Sequence, residues 1–160
     1  MKIDPSKMEA IMKWLVPTNF SEVRIFNGEA QYLRKFIASF LVVVAPLHAI
    51  TIRGKSFQWG KWKHKAFDEL KKKISQAPVL ELPNLERPFE VEIDASGYAM
   101  RVVLMQGGRP ICYHSEVFNG AILNYPTFNK ELYAMVKDVK KCKHYLMGKE
   151  RIIHTNHQPL

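Results

Sequence analysis

Apolar positions along this chain follow two different periods, and the change falls near residue 76. In the first part they recur every three to four residues, the spacing of an amphipathic helix. Asp4 followed by Pro5 makes a helix cap and a first-turn proline. Met8, Ile11, Met12 and Leu15 then form one stripe, which Pro17 ends. Asn19 and Glu22 have the spacing of a capping box and lead to Val23 and Phe26 before Gly28. A further helix carries Tyr32, Leu33, Phe36, Ile37 and Phe40. After a turn around Arg53-Gly54-Lys55 and the run Phe57-Gln58-Trp59, a basic helix is predicted from about Lys61 to Ile74, with Ala66, Phe67, Leu70 and Ile74 inward.

From Ala77 the period drops to two. Pro78, Pro83 and Pro88 punctuate a linker, and Phe89, Val91 and Ile93 then alternate with Glu90, Glu92 and Asp94 as in a half-buried strand. A second strand, about Met100 to Gln106, turns at Gly107-Gly108 into a third, Ile111 to Ser115, which is a hairpin signal. Asn124 to Leu146 reads as a long helix with Phe128, Leu132, Met135, Val136, Val139 and Leu146 on one face, and Arg151 to Thr155 as a last short strand. The expected fold is mixed, α+β or α/β: a helical segment over residues 1–76, then a sheet with one long helix over residues 77–160.

Composition narrows the class. With 47% hydrophobic residues among 160, a real core is possible. A formal net charge of +9 and a pI near 9.6 favour a polyanionic partner. Cys112 and Cys142 show no Cys-x-x-Cys spacing and read as reduced thiols of an intracellular protein. The start, Met1-Lys2-Ile3-Asp4-Pro5, lacks the apolar stretch of a signal peptide. The most apolar run, Phe36 to Leu47, falls short of the roughly 20 residues of a membrane span, so no membrane partner is expected.

The candidate chemistry is an incomplete set of acids. Asp94 ends a strand, Glu131 lies on the following helix, and the next strand runs into Thr155-Asn156-His157. An acid at each of these three places would let anionic oxygens converge on two divalent ions roughly 3.5–4 Å apart. Asn156 stands where the third carboxylate would be. Blander readings exist for each: Glu90, Glu92 and Asp94 as the wet face of a strand, Glu131 as a solvated helix charge, and Trp14, Trp59 and Trp62 as packing residues. His154 and His157 lack the further ligands a metal site needs. Lys61, Lys63 and Lys65 crowd the first turns of their helix, where the dipole disfavours cations. With Lys71, Lys72 and Lys73 they are the candidate nucleic-acid contacts.

A run of collinear motifs carries a resemblance. These are Ile3-Asp4-Pro5-Ser6-Lys7, Tyr32-Leu33-Arg34-Lys35-Phe36-Ile37, Ala45-Pro46-Leu47, Phe57-Gln58-Trp59 and Ala66-Phe67-Asp68-Glu69-Leu70-Lys71. They continue with Ala77-Pro78-Val79-Leu80, Asp94-Ala95-Ser96-Gly97, Tyr113-His114-Ser115, Lys130-Glu131-Leu132-Tyr133-Ala134 and His144-Tyr145-Leu146. Over essentially the whole chain this resembles the stretch of a gypsy-type LTR retrotransposon Pol polyprotein, plant elements in particular, that joins the reverse transcriptase thumb to the ribonuclease H domain.

The resemblance implies a thumb-like helical segment, then a C-terminally incomplete ribonuclease H-like domain. It further implies hydrolysis of the RNA strand of RNA–DNA hybrids with two Mg ions, and covalent continuity with polymerase and integrase regions. Asp94 and Glu131 match the family's first two metal ligands, and Asn156 departs from its third. No Tyr-x-Asp-Asp occurs, which excludes polymerase activity from this chain. Arg101 replaces a small residue after the Asp-Ala-Ser-Gly turn, Asn27 a Leu in a helix stripe, and Cys142 an aromatic. These departures lead to an expectation of impaired nuclease activity. The alternatives are a nucleic-acid-binding remnant and a non-functional relic.

Overall fold

In the computed structural model, which describes residues 1–52, 56–142 and 151–155, the helices come first and the sheet second. Helix α1 is Pro5–Met12, α2 Phe20–Tyr32, α3 Phe40–Ile50 and α4 Lys61–Ser75. The Asp4 carboxylate caps α1 by accepting from the Ser6 N–H at 2.8 Å. This helix ends sooner than its apolar stripe: Lys13 caps it, and Leu15 lies beyond it, 83% exposed. The capping box at α2 is present. Asn19 accepts from the Glu22 N–H at 3.0 Å, while the Glu22 carboxylate accepts from the Thr18 N–H at 2.7 Å.

Helix α2 runs unbroken through Gly28, so the interruption expected there comes later. The chain breaks after Tyr32 into a 3-10 turn, Arg34–Phe36, and Ser39 adopts φ 58 before α3 starts. Phe40 therefore opens a new helix rather than closing the one before. In α4 the buried residues are Ala66, Phe67, Leu70 and Ile74, as the periodicity predicts. Phe26 centres this core, with Phe67 at 4.7 Å and Trp14 at 5.7 Å between ring centroids. Leu80, from the proline-rich linker, belongs to the same core, and its N–H donates to the Met1 carbonyl at 2.8 Å.

The sheet has the order β3-β2-β1-β4, with β1 Phe89–Ala95, β2 Ala99–Gln106, β3 Arg109–Val117 and β4 Arg151–Thr155. Neighbours are antiparallel except β1 and β4, which are parallel. Gly107 and Gly108 both take positive φ, 55 and 72, as a two-residue turn matched to strand twist requires. The Gln106 amide pins the linker, accepting from the Asn84 N–H at 2.9 Å and donating to the Asn84 and Arg87 carbonyls.

Helix α5, Thr127–Lys141, packs on β1 and β2 but is turned away from its predicted face. Lys130, Glu131, Ala134 and Asp138 are buried, whereas Phe128, Leu132 and Val136 are exposed. Of the predicted stripe, Met135 and Val139 reach the core, and Leu146 lies outside the described residues. The reason is tertiary. The Lys130 ammonium donates to the Gly97 carbonyl at 2.9 Å and lies 5.8 Å from the Phe118 ring centre. Ala134, small and fully buried, lets the helix approach the sheet.

The two parts meet at β3. The Leu41 N–H donates to Ser115 Oγ at 3.2 Å, and Tyr113 packs against the helical core. No helix among the described residues is long and apolar enough to cross a membrane.

Candidate nuclease site and nucleic-acid face

Strand alternation puts Glu90, Glu92 and Asp94 on the face opposite Phe89, Val91, Ile93 and Ala95, which are buried. In the β1–β2 register Asp94 lies across from Arg101. Arg101 Nη2 is 3.0 Å from Asp94 Oδ2 and 3.9 Å from Glu92 Oε1. The pair is open to solvent, with side-chain exposures of 36% for Arg101 and 42% for Asp94. It therefore adds little to stability. Its consequence is occupancy: the guanidinium covers an oxygen that a cation would need.

The turn after Asp94 is held by Ser96, whose Oγ donates to the Ala99 carbonyl at 2.9 Å and accepts from the Ala99 N–H at 3.1 Å. The Lys130–Gly97 bond ties α5 to this turn and fixes Glu131, the next residue. Glu131 is 8% exposed. Glu131 rides on α5, which packs against the Phe89, Val91 and Ile93 face of β1, whereas Asp94 alternates onto the opposite face. Asn156 and His157 lie outside the described residues. His154 is exposed, with Nε2 3.7 Å from Glu90 Oε2.

Residues 59–153 match the family described as an RNase H-like domain found in reverse transcriptase. This chain belongs to that RNase H-like family. It is 37% identical over 161 residues to the retrovirus-related Pol polyprotein from transposon 297 of Drosophila melanogaster, covering 100% of this chain and 15% of that polyprotein. The corresponding values for the transposon gypsy polyprotein of the same organism are 32% over 173 residues, 99% and 17%. The Gag-Pol polyprotein of feline leukemia virus is 35% identical over 156 residues, with 95% and 9% covered. The chain therefore spans less than a fifth of these relatives.

Among solved structures, a foamy viral protease-reverse transcriptase in complex with RNA/DNA hybrid aligns with TM-score 0.84 at 22% identity, over 98% of this chain and 22% of that one. A dRH form in complex with double-stranded DNA aligns with TM-score 0.86 at 21% identity, over 99% and 29%. These likenesses establish the fold, the mixed α+β arrangement expected from the sequence.

The RNase H-like family implies two Mg ions. Asp94 and Glu131 are the described residues that could hold them. As arranged, they do not fit the pair, because Arg101 already engages Asp94 at 3.0 Å. Among the described residues, no three His, Cys, Asp or Glu side chains form a metal-binding group.

The lysines of α4 fall into two sets. Lys71 is structural: its ammonium donates to the Trp14 carbonyl at 2.7 Å and lies 4.7 Å from the Phe67 ring centre. Burial holds its pKa below the ordinary lysine value. Lys63 donates to the Gln58 carbonyl. Lys61, Lys65, Lys72 and Lys73 share the outer face of α4 with Trp62, His64, Asp68 and Glu69. Trp62, expected as a packing residue, is 77% exposed, and Lys65 Nζ lies 5.9 Å from its ring centre. An exposed indole among lysines suits a nucleic acid. The Lys61 to Lys65 spacing around Trp62 was the available signal.

Proposed function

We propose that this chain is the RNase H-like module of a retroelement Pol polyprotein. In this reading it descends from an enzyme that cleaved the RNA strand of RNA–DNA hybrids, and it now holds such a duplex while cleaving it poorly. The carrying observation is the 3.0 Å contact of Arg101 with Asp94, which spends the first candidate metal ligand on an internal cation. Asn156 in place of a third acid works in the same direction, since fewer anionic oxygens weaken hard-cation binding.

The duplex-holding half of the reading rests on the lysines and the exposed Trp62 of α4. The solved relatives carry double-stranded DNA and RNA/DNA hybrid, and we carry that partner class over to this chain. Phosphate contacts from Lys61, Lys65, Lys72 and Lys73 give affinity that falls steeply as salt displaces them. Continuity with polymerase and integrase regions belongs to the same proposal.

The test is one labelled RNA–DNA hybrid, followed for binding and for cleavage in Mg, with Asp94→Ala alongside. The expected result is salt-sensitive binding and an intact RNA strand. Mg-dependent cleavage that disappears in Asp94→Ala would overturn the impairment. Absence of binding at low salt would overturn the holding role.

A further inference from the structure

Strand β3 is an edge of the sheet, and its two faces meet different neighbours. Tyr113 and Ser115 turn to the helical segment: Tyr113 packs on its core, and Ser115 Oγ accepts from the Leu41 N–H. His114 and Glu116 alternate onto the other face, beneath α5, since their ladder partners Val102 and Met100 belong to the core that α5 covers. There Lys137 Nζ lies 3.3 Å from Glu116 Oε1, and Lys141 Nζ lies 2.6 Å from His114 Nδ1. The 3-10 turn Arg34–Phe36 packs on the same strand and brings Arg34 and Lys35 to this edge. Lys35 Nζ lies 5.3 Å from the Phe36 ring centre.

The charges gathered here do not cancel. Glu116 is held by Lys137, and His114 Nε2 lies 3.8 Å from its other oxygen. Asp138 is buried and engaged by the Cys142 thiol. Arg34, Lys35 and Lys141 are exposed, and among the described residues no carboxylate forms an ion pair with any of the three. Lys141 directs one of its three donors at a neutral imidazole, which brings no countercharge. The crowding leaves its mark on both partners. Partial burial and then Arg34 hold the Lys141 pKa below its ordinary value. At His114, burial, Lys141, Arg34 and Lys137 outweigh Glu116 and bring the pKa down to about 4.

We propose that Lys141, His114 and Arg34 form an anion site at the β3 edge that takes a phosphate group. A phosphate offers several acceptor oxygens, enough for an ammonium, an imidazole N–H and a guanidinium fork together. It supplies the negative charge that the cluster lacks, with Lys35 beside it. Lys141 turns from the ring to the anion, which frees His114 Nδ1 to hold a proton and donate. Because Arg34 comes from the helical segment and Lys141 from α5, the bound group ties the two parts of the chain across β3. Its source is a nucleic-acid backbone or a free polyphosphate. No residue of α4 takes part, so the site does not depend on the duplex-holding role of that helix.

The experiment follows the His114 ring by NMR in the whole chain, with inorganic tripolyphosphate as the probe and the signal assigned by its loss in His114→Gln. Tripolyphosphate is expected to raise the His114 pKa by about one unit, since a nearby negative charge favours the protonated ring. Lys141→Gln and Arg34→Gln should each weaken its binding about tenfold. Lys13→Gln, which removes an equal charge from the end of α1, should leave binding unchanged. An unmoved His114 would overturn the site, and that reading needs no variant. So would native affinity in Lys141→Gln, or an equal loss in Lys13→Gln, which would show attraction by net charge alone. An RNA–DNA hybrid that moves His114 in the same way makes the nucleic-acid backbone the source; a response to tripolyphosphate alone makes it a free polyphosphate. Salt-sensitive hybrid binding with His114 unmoved by either probe would overturn this site and leave the α4 reading standing.

Discussion

Arg101 stands across the β1–β2 ladder from Asp94, its Nη2 3.0 Å from the carboxylate Oδ2. A strand partner thus supplies the positive charge that the family draws from a metal. Replacing it by a small residue should free the acid without disturbing a core, because both side chains are substantially exposed. Arg101→Gly is expected to bind Mg about tenfold more tightly than the native chain, since a screened unit charge a few ångströms away costs a divalent ion about 1–2 kcal/mol. Isothermal titration decides it. An unchanged affinity, or one that survives adding Asp94→Ala, would sink the idea.

The α4 lysines should separate by role. Lys71→Met removes a charged donor from the Trp14 carbonyl and is expected to cost about 1–2 kcal/mol of stability. Its effect on hybrid affinity at matched folding should be small. Lys65→Gln and Lys72→Gln should leave the urea midpoint unchanged, and each should lower the slope of log affinity against log salt by about 1. The same response from all three would contradict the division.

Asn27 is a second exposed weakness of the sequence placed inside the fold. It is 6% exposed, and neither its Nδ2 nor its Oδ1 has a hydrogen-bond partner. Asn27→Leu removes an unsatisfied amide worth about 1–3 kcal/mol and adds apolar burial. A gain of about 2 kcal/mol by urea unfolding is expected; a loss would show that the side chain does not fit beside Arg24 and His48.

His114 should make the protein acid-sensitive. Burial first, then Lys141, Arg34 and Lys137, against Glu116, lower its pKa from 6.5 to about 4. The unfolded chain therefore takes up the proton before the folded one does. The His114 contribution is full above pH 6.5 and falls as the pH drops towards 4, by about 3 kcal/mol at most. Asp138 acts in the opposite sense: its raised carboxyl pKa costs stability as the pH rises above the ordinary 3.8. Urea unfolding at pH 7 and pH 4.5 should show a smaller pH difference in His114→Gln than in the native chain. Equal differences would remove His114 as the cause.

Much of the fold is legible from local rules. Asn19 with Glu22, the inward set of α4, the β1 alternation and Gly107-Gly108 each act within a few residues, and each stands where the sequence puts it. The misses have distant causes. Helix α5 buries Lys130, Glu131, Ala134 and Asp138 in place of most of its apolar stripe, and Lys130 reaching Gly97, 33 residues away, helps set that rotation. Trp62 looks like core by composition, yet the inward face of α4 is complete without it. Of the candidate site, Asp94 and Glu131 are legible as types and positions. The Arg101 contact follows from strand register, which a one-residue slip would abolish.

Leu80 pairs with Met1 and fills the helical core, although it lies beyond the last residue of α4. In synthesis from the amino end, the helices therefore emerge before the side chain that closes them. Until the proline-rich linker follows them out, the helical core lacks the Leu80 side chain and the Leu80–Met1 bond.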